Sequence, residues 1–229
     1  MKNSVLIGSS TVKKTYFQEK SPEALFRGTL DYLGLEQPIE YFFPSKRAKF
    51  ELETLILWRE MNFDVPRVIS YEKCSLTMER IDGESFVDLF CNNNPLQILN
   101  NYFIEVNHRH EIAQKVNKKE LCHVDANFKN IFSSDNKIIH LDFEMGRFSE
   151  NVIEWGAREI SKFFVSYGLL GHSVTKILPN FLEYYKQEDI LLHYIKKNFK
   201  KGKSVYKAST GPYRPVHLAG DLNNLYGKF

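Results

Sequence analysis

Three cysteines in 229 residues, Cys74, Cys91 and Cys122, with no CxxC pair among them, exclude a disulfide framework and a thiolate zinc site. They read as ordinary buried thiols in a reducing compartment. Long apolar runs are missing as well. The first stops at Val5–Ile7, and none approaches the roughly 20 residues that a membrane span or a signal core with its flanks would use. A cytoplasmic protein is expected. Excess charge of one sign is also lacking: 31 basic against 28 acidic residues leave +3, too little for the overall field to gather nucleic acid. Internal repeats are absent, and the low-complexity spots are Asn92–Asn94 and the lysines near the C-terminus. What the chain does have is 43% hydrophobic and 14% aromatic residues, enough to bury the core of one large or two-lobed domain.

Taken in order, Val5–Ile7 and Thr11–Phe17 read as strands joined by Gly8-Ser9-Ser10, a hairpin. Ser21-Pro22-Glu23 opens a helix predicted to end at Gly34. Pro44-Ser45 precedes a stronger one over Lys46–Met61, in which Glu51, Leu55 and Trp58 share a face while Glu53 lines up with Leu57 and Glu60 toward solvent. A carboxylate on a core-facing stripe requires a cation partner, and a lysine is expected. Asn62–Ile69 turns into a strand, and Ser75–Ile81 forms another before the turn Asp82-Gly83. From Leu96 onward helical spacing dominates, in Leu99, Tyr102, Phe103 and Val106, then in Ile153, Gly156, Ala157, Ile160 and Phe164. Val174–Leu182 is a further helix with a kink expected at Pro179, and Asp189–Phe199 another. The reading is an α+β protein with a small strand-rich part over 1–81, a mainly helical part over 82–200 and an unassigned tail over 201–229.

One stretch carries chemistry. His123-Val124-Asp125 is followed by Asn130, and then, across a predicted hairpin of Asn130–Phe132 and Lys137–Phe143, by Asp142-Phe143. The hairpin brings Asn130 and Asp142, two oxygen donors, together. Phosphoryl transfer needs little covalent help, but it needs phosphates clamped by metal and cation and an acceptor hydroxyl held in line. Asp125 would take or orient the hydroxyl proton, Asn130 and Asp142 would hold magnesium, and His123 would brace the loop. The pattern has a chance frequency on the order of 0.0001 to 0.001 per chain, so an accidental polar turn is set aside.

On these residues the chain resembles the protein-kinase-like phosphotransferases, in particular the atypical branch of aminoglycoside and choline phosphotransferases, lipopolysaccharide Kdo kinases and small RIO-type kinases. The resemblance covers roughly residues 5 to 165. The segment His123 to Asn130 looks like that branch's catalytic loop, with Asn127 where typical protein kinases carry lysine; Leu141-Asp142-Phe143-Glu144 looks like its metal loop, with Glu in place of glycine. The resemblance implies a two-lobed protein-kinase-like fold with a reduced β-lobe, ATP and Mg2+ as cofactors, and Glu51 as ion-pair partner of a phosphate-binding lysine. That lysine is Lys13 or Lys14, since adjacent strand residues point to opposite faces and only one can face the cleft. Met78–Gly83 looks like the hinge, with backbone groups from Glu79 to Ile81 meeting the adenine edge. Glu159 lies near where the family has an acid that braces the catalytic loop. The family usually opens with a strand, a glycine-containing loop and a second strand; only ten residues precede Thr11 and Gly8 is their sole glycine, so that strand and loop are expected to be missing or rebuilt.

The implied function is an ATP- and magnesium-dependent kinase acting on a hydroxyl of a sugar, glycolipid or other small molecule. The DFE variant, Asn127 and the short path from Asp142 to a helical stripe near Val152 motivate the small acceptor. The alternatives are a RIO-like serine protein kinase, whose Lys196–Lys203 cluster could meet nucleic acid or an acidic partner, and a pseudokinase that binds without turnover.

Overall fold

The structure is a computed structural model that describes residues 3–17, 43–92, 95–143 and 151–200. The expected helix from Ser21 to Gly34, Glu144 of the metal loop, Lys201 and Lys203 of the basic cluster and the tail lie outside the described residues.

The fold is α+β. Strands β1 (Ser4–Ile7), β2 (Thr11–Thr15), β3 (Val68–Glu72) and β4 (Ser75–Glu79) form an antiparallel sheet in the order β1-β2-β4-β3. β2 is shorter than expected, although the Tyr16 N–H still donates to the Cys74 carbonyl at 2.9 Å. β3 starts only at Val68, after Pro66 and Arg67, because proline cannot donate to a ladder. Between β2 and β3 runs helix α1 (Pro44–Glu60), opened by a proline whose fixed φ suits the first turn and followed by Asn62 at φ 63°. Glu51, Leu55 and Trp58 are buried together, and Glu53 is exposed, as the spacing predicted.

Beyond Arg80–Gly83 the chain enters a second sheet of β5 (Glu84–Ser85), β6 (Ile131–Ser134) and β7 (Lys137–His140). The periodicity did not anticipate the two-residue β5 or the short helix α2 (Phe86–Asn92) that follows it. Helix α3 (Leu96–Val116) runs a good two turns past Val106 and closes on Asn117 at φ 52°, a conformation asparagine tolerates. Asp135 (φ 49°) and Asn136 (φ 64°) make the two-residue turn between β6 and β7, where positive φ at both positions matches strand twist. Helices α4 (Val152–Leu169), α5 (Val174–Tyr184) and α6 (Glu188–Lys200) complete the helical part, and α5 continues through Pro179.

Two apolar clusters organise these elements. One fills the helical part, with Phe86, Phe103, Phe128, Phe163 and Phe181 at its centre. The other joins α1 and the first sheet to the loop between α3 and β6, through Tyr16, Leu55, Trp58, Leu76, Cys122, Val124, Phe143 and Trp155. Segment 121–143 is therefore wedged between two cores. Among the described residues no helix is long and apolar enough to cross a membrane.

Gly156 sets the approach of α6 to α4: a Cβ there would lie 2.7 Å and 3.0 Å from Ile190 side-chain carbons and 3.3 Å from His110. Gly156→Ala is expected to destabilise the protein by about 1–3 kcal/mol through overpacking. The denaturant midpoint should fall at unchanged slope, and the loss in a Gly156→Ala/Ile190→Ala double variant should be smaller than the sum of the two single losses, because the methyl then enters the space that Ile190 vacates. A midpoint at or above wild type would contradict this packing.

Candidate active site

Lys14 is where the two sheets and α1 meet. Alternation along β2 sends its side chain inward, 7% exposed, and Lys13 outward to an exposed pair with Glu72 at 3.0 Å. Of the two candidate lysines, Lys14 is the one that faces Glu51, whereas Lys13 lies on the solvent side of the strand. The Lys14 ammonium lies 2.8 Å from Glu51 Oε2 and 2.6 Å from Asp142 Oδ1. The lysine partner required by the buried carboxylate is thus present, and the same Oε2 also accepts the Tyr16 hydroxyl. Burial pushes the Glu51 carboxyl above its ordinary value, against the pull of Lys14. Burial acts on Asp142 too, but the Lys14 cation outweighs it and holds that carboxyl low. Asp142 adopts φ 64°, a left-handed backbone that costs a non-glycine residue roughly 1–2 kcal/mol. Such a conformation persists where the surroundings over-determine it.

Asp125 sits in the tight passage between two 3-10 turns, Lys119–Leu121 and Phe128–Asn130. Its carbonyl accepts the Asn127 N–H at 2.6 Å and the side-chain amides of Asn127 (3.1 Å) and Asn130 (3.0 Å). The Asn130 Nδ2 also reaches Asp125 Oδ2 at 3.2 Å. With its amide nitrogen committed to Asp125, Asn130 presents its oxygen elsewhere, and the Leu141 N–H bond to the Asn130 carbonyl, 2.9 Å, ties it to the segment bearing Asp142. Asn130 Oδ1 and the second Asp142 oxygen are hard donors of the kind Mg2+ takes, so the residues fit that ion.

His123 does not touch the Asp125 carboxylate in any described contact. Its ring is 1% exposed, meets Trp58, Phe143 and His140, and its Nδ1 lies 3.2 Å from His140 Nδ1. Burial, reinforced by His140, holds the ring's pKa down at about 4. The loop is anchored from α4: the Glu159 carboxylate accepts the His123 backbone N–H at 2.6 Å and is itself held by Arg109 and by His110 Nε2 at 2.9 Å. Glu105 completes the network with Arg109 at 2.7 Å and His140 at 3.1 Å; burial would raise it, but Arg109 and His140 hold it at about 2. His110, Cys122 and Glu159 bring ligand atoms together, yet Arg109 occupies the same cluster, which opposes a metal cation there.

Lys162, one turn beyond Glu159, places Nζ 3.3 Å from Asp125 Oδ1. Sequence reasoning missed Lys162, Arg109, His110, Glu105 and His140. Only Arg109 and His110 had a signal: both fall on the buried stripe of α3 that Leu99, Tyr102, Phe103 and Val106 define.

At the end of β4 the Glu79 N–H donates to the Arg67 carbonyl, and the Arg67 N–H goes to the Glu79 carboxylate at 2.7 Å instead of its carbonyl. The Arg80 N–H is taken by Ser10. Among the described residues the Ile81 N–H has no partner.

No protein-family model matches the chain, and no curated protein matches it in sequence. Solved structures similar in shape include a Rio2 kinase–ADP/Mg2+–phosphoaspartate complex from Chaetomium thermophilum, at 13% identity over 86% of this chain and 70% of that one, with a TM-score of 0.46. A gentamicin complex of APH(2″)-IIa follows at 10% identity, 86% and 88% coverage and a TM-score of 0.37. ADP-bound aminoglycoside phosphotransferase APH(2″)-Ib is similar at 11% identity, 98% and 92% coverage and a TM-score of 0.35.

The lowered His123 and Glu105 values fix the sign of the acid response. His123 stays neutral in the folded chain to about pH 4 but takes a proton near 6.5 when unfolded, so its contribution is complete above 6.5 and falls between 6.5 and 4. The shift corresponds to about 3 kcal/mol. Glu105 adds a further loss as pH drops from 4.5 toward 2. Urea midpoints should decline steadily from pH 7 to 4, and His123→Leu should flatten that limb. Equal slopes in both proteins would remove His123 as its origin.

Proposed function

We propose that this chain is an ATP- and Mg2+-dependent phosphotransferase that moves the γ-phosphoryl group of ATP to a hydroxyl of a sugar, glycolipid or other small molecule. The observation that carries the reading is the meeting of Lys14, Glu51 and Asp142 at one point while Asn130 ties Asp125 to the same segment. A buried ammonium flanked by two carboxylates, beside an oxygen-donor pair, suits a triphosphate and its metal better than it suits a purely structural ion pair.

In this reading Lys14 is positioned by Glu51 to meet the phosphates, and Asn130 and Asp142 hold Mg2+, which neutralises phosphate charge when bound. The Ile81 N–H, without a partner among the described residues, and the nearby Glu79 carbonyl offer the donor and acceptor that an adenine edge would use. The acceptor oxygen bonds to the γ-phosphorus as that phosphorus parts from its bridging oxygen. The electron pair leaves with ADP, and the hydroxyl proton passes to Asp125. The preference for a small acceptor rests on the short path from Asp142 to Val152, where α4 begins, which leaves little room for a peptide-docking platform.

Calorimetric titration with Mg–ATP and a phosphate-release assay test this directly. Asp142→Ala should weaken Mg–ATP binding by at least about 10-fold, as loss of metal-site groups does. Asp125→Asn should bind Mg–ATP as wild type does yet lose roughly 100- to 10,000-fold in turnover, the range for a general base. No magnesium-dependent ATP binding by the wild type would sink the proposal, and label from ATP entering only protein acceptors would sink the small-molecule preference.

A further inference from the structure

Helix α4 grips the catalytic loop at two points one turn apart. Glu159, fixed between Arg109 and His110 and fully buried, receives the His123 N–H. Lys162 then reaches Asp125 Oδ1 at 3.3 Å, with side chains 38% and 15% exposed respectively. The two carboxylate oxygens of Asp125 are thereby distinguished. Oδ2 is held by the Asn130 amide on the side of the metal ligands, and Oδ1 faces the Lys162 ammonium.

An acceptor hydroxyl that hands its proton to Asp125 must reach one of these oxygens. Oδ1 carries the Lys162 ammonium, and a carboxylate oxygen has two lone-pair sites, so a hydroxyl bound at Oδ1 shares that oxygen with the lysine. The acceptor oxygen then lies beside the Lys162 ammonium throughout the transfer. The phosphoryl oxygens that pass to it meet a cation opposite to Lys14. We propose that Lys162 is a catalytic residue of the transfer step. It hydrogen-bonds the acceptor oxygen and the phosphoryl group in flight, while the new oxygen–phosphorus bond forms, the bridging bond to ADP breaks with its electron pair, and the proton goes to Asp125 Oδ1. The inference rests on the phosphotransferase reading above. Lys162 is the more exposed member of a partly buried pair, so Mg–ATP binding and the denaturant midpoint of each variant separate a loss of chemistry from a loss of folding.

The test uses the whole chain with Mg–ATP and water as acceptor, read as phosphate release, alongside calorimetric Mg–ATP binding. Lys162→Met and Lys162→Gln should lower kcat about 100-fold or more, as removal of a transition-state donor does, with KM for ATP and the Mg–ATP Kd within about twofold of wild type. Lys162→Arg should recover at least about tenfold of that loss, because the cation is restored. Wild-type kcat in Lys162→Met, or a fall in ATP affinity that matches the fall in turnover, would overturn the assignment while leaving the phosphotransferase reading intact. A wild type that binds Mg–ATP but releases no phosphate would likewise overturn it and leave nucleotide binding standing. A wild type that does not bind Mg–ATP overturns both.

Discussion

The Lys14 ammonium is the constraint on which the architecture turns. It joins a strand, a helix 37 residues away and a loop 128 residues away through two carboxylates at 2.8 Å and 2.6 Å. A buried lysine without partners would shed its proton, and a buried glutamate without one would take a proton up. Together they stay charged only while β2, α1 and the segment after β7 keep their relative places. Two carboxylates around one ammonium also leave a local charge of −1. That surplus is tolerable at the edge of the site, where the Asp142 side chain is 34% exposed, and it favours an arriving divalent cation.

A second charged network mirrors the first from the opposite side of the loop. Arg109, Glu159, His110 and the Tyr185 hydroxyl are held together in the helical part, with Arg109 and Glu159 each at 0% side-chain exposure. It meets the loop at two backbone groups: Glu159 accepts the His123 N–H and Arg109 donates to the Leu121 carbonyl, each at 2.6 Å. The Asp125 loop is therefore held by hydrogen bonds to its main chain from the helical part, while the Lys14 cluster gathers on Asp142 at the end of the adjoining segment. This division explains why Asp125, between the two, remains partly exposed although its neighbours His123, Val124 and Ala126 are buried. Breaking a buried pair of this kind typically costs 3–5 kcal/mol, so both networks are maintained by folding stability as well as by any chemistry they support.

Much of this was legible in the sequence where one residue type has one physical solution. Glu51 on the buried stripe of α1 demanded a cation, and local spacing alone placed Asn130 and Asp142 across a hairpin. The choice between Lys13 and Lys14 was not legible, because alternation gives two faces and does not say which one is covered. Arg109 and His110 escaped notice since a charged residue on an apolar stripe looks like a boundary position until its partner, Glu159, is brought over from a helix 50 residues away. Lys162 carried no signal at all; its meaning lies in where α4 ends up. The short β5 and α2 were missed because two paired residues and a two-turn helix are too brief for periodicity to build up.

Trp58 links α1 to the helical part. Its indole N–H donates to the Glu120 carbonyl at 2.7 Å, its ring meets His140 and Phe143, and Arg109 lies over its face at 4.3 Å. The residue belongs to α1, the helix that carries Glu51, yet most of its company belongs to the segment 120–143 and to α3. Sliding α1 away from Lys14 would have to pull this indole out of a fully covered site, strip a backbone carbonyl of its donor and uncover a guanidinium. The helix is moored at both ends of the same lever. A disturbance that loosens the Asp125 loop is felt at Lys14, and one that unseats Glu51 is felt beneath Asp125, so the ion-pair cluster and the loop are assembled or lost as one body.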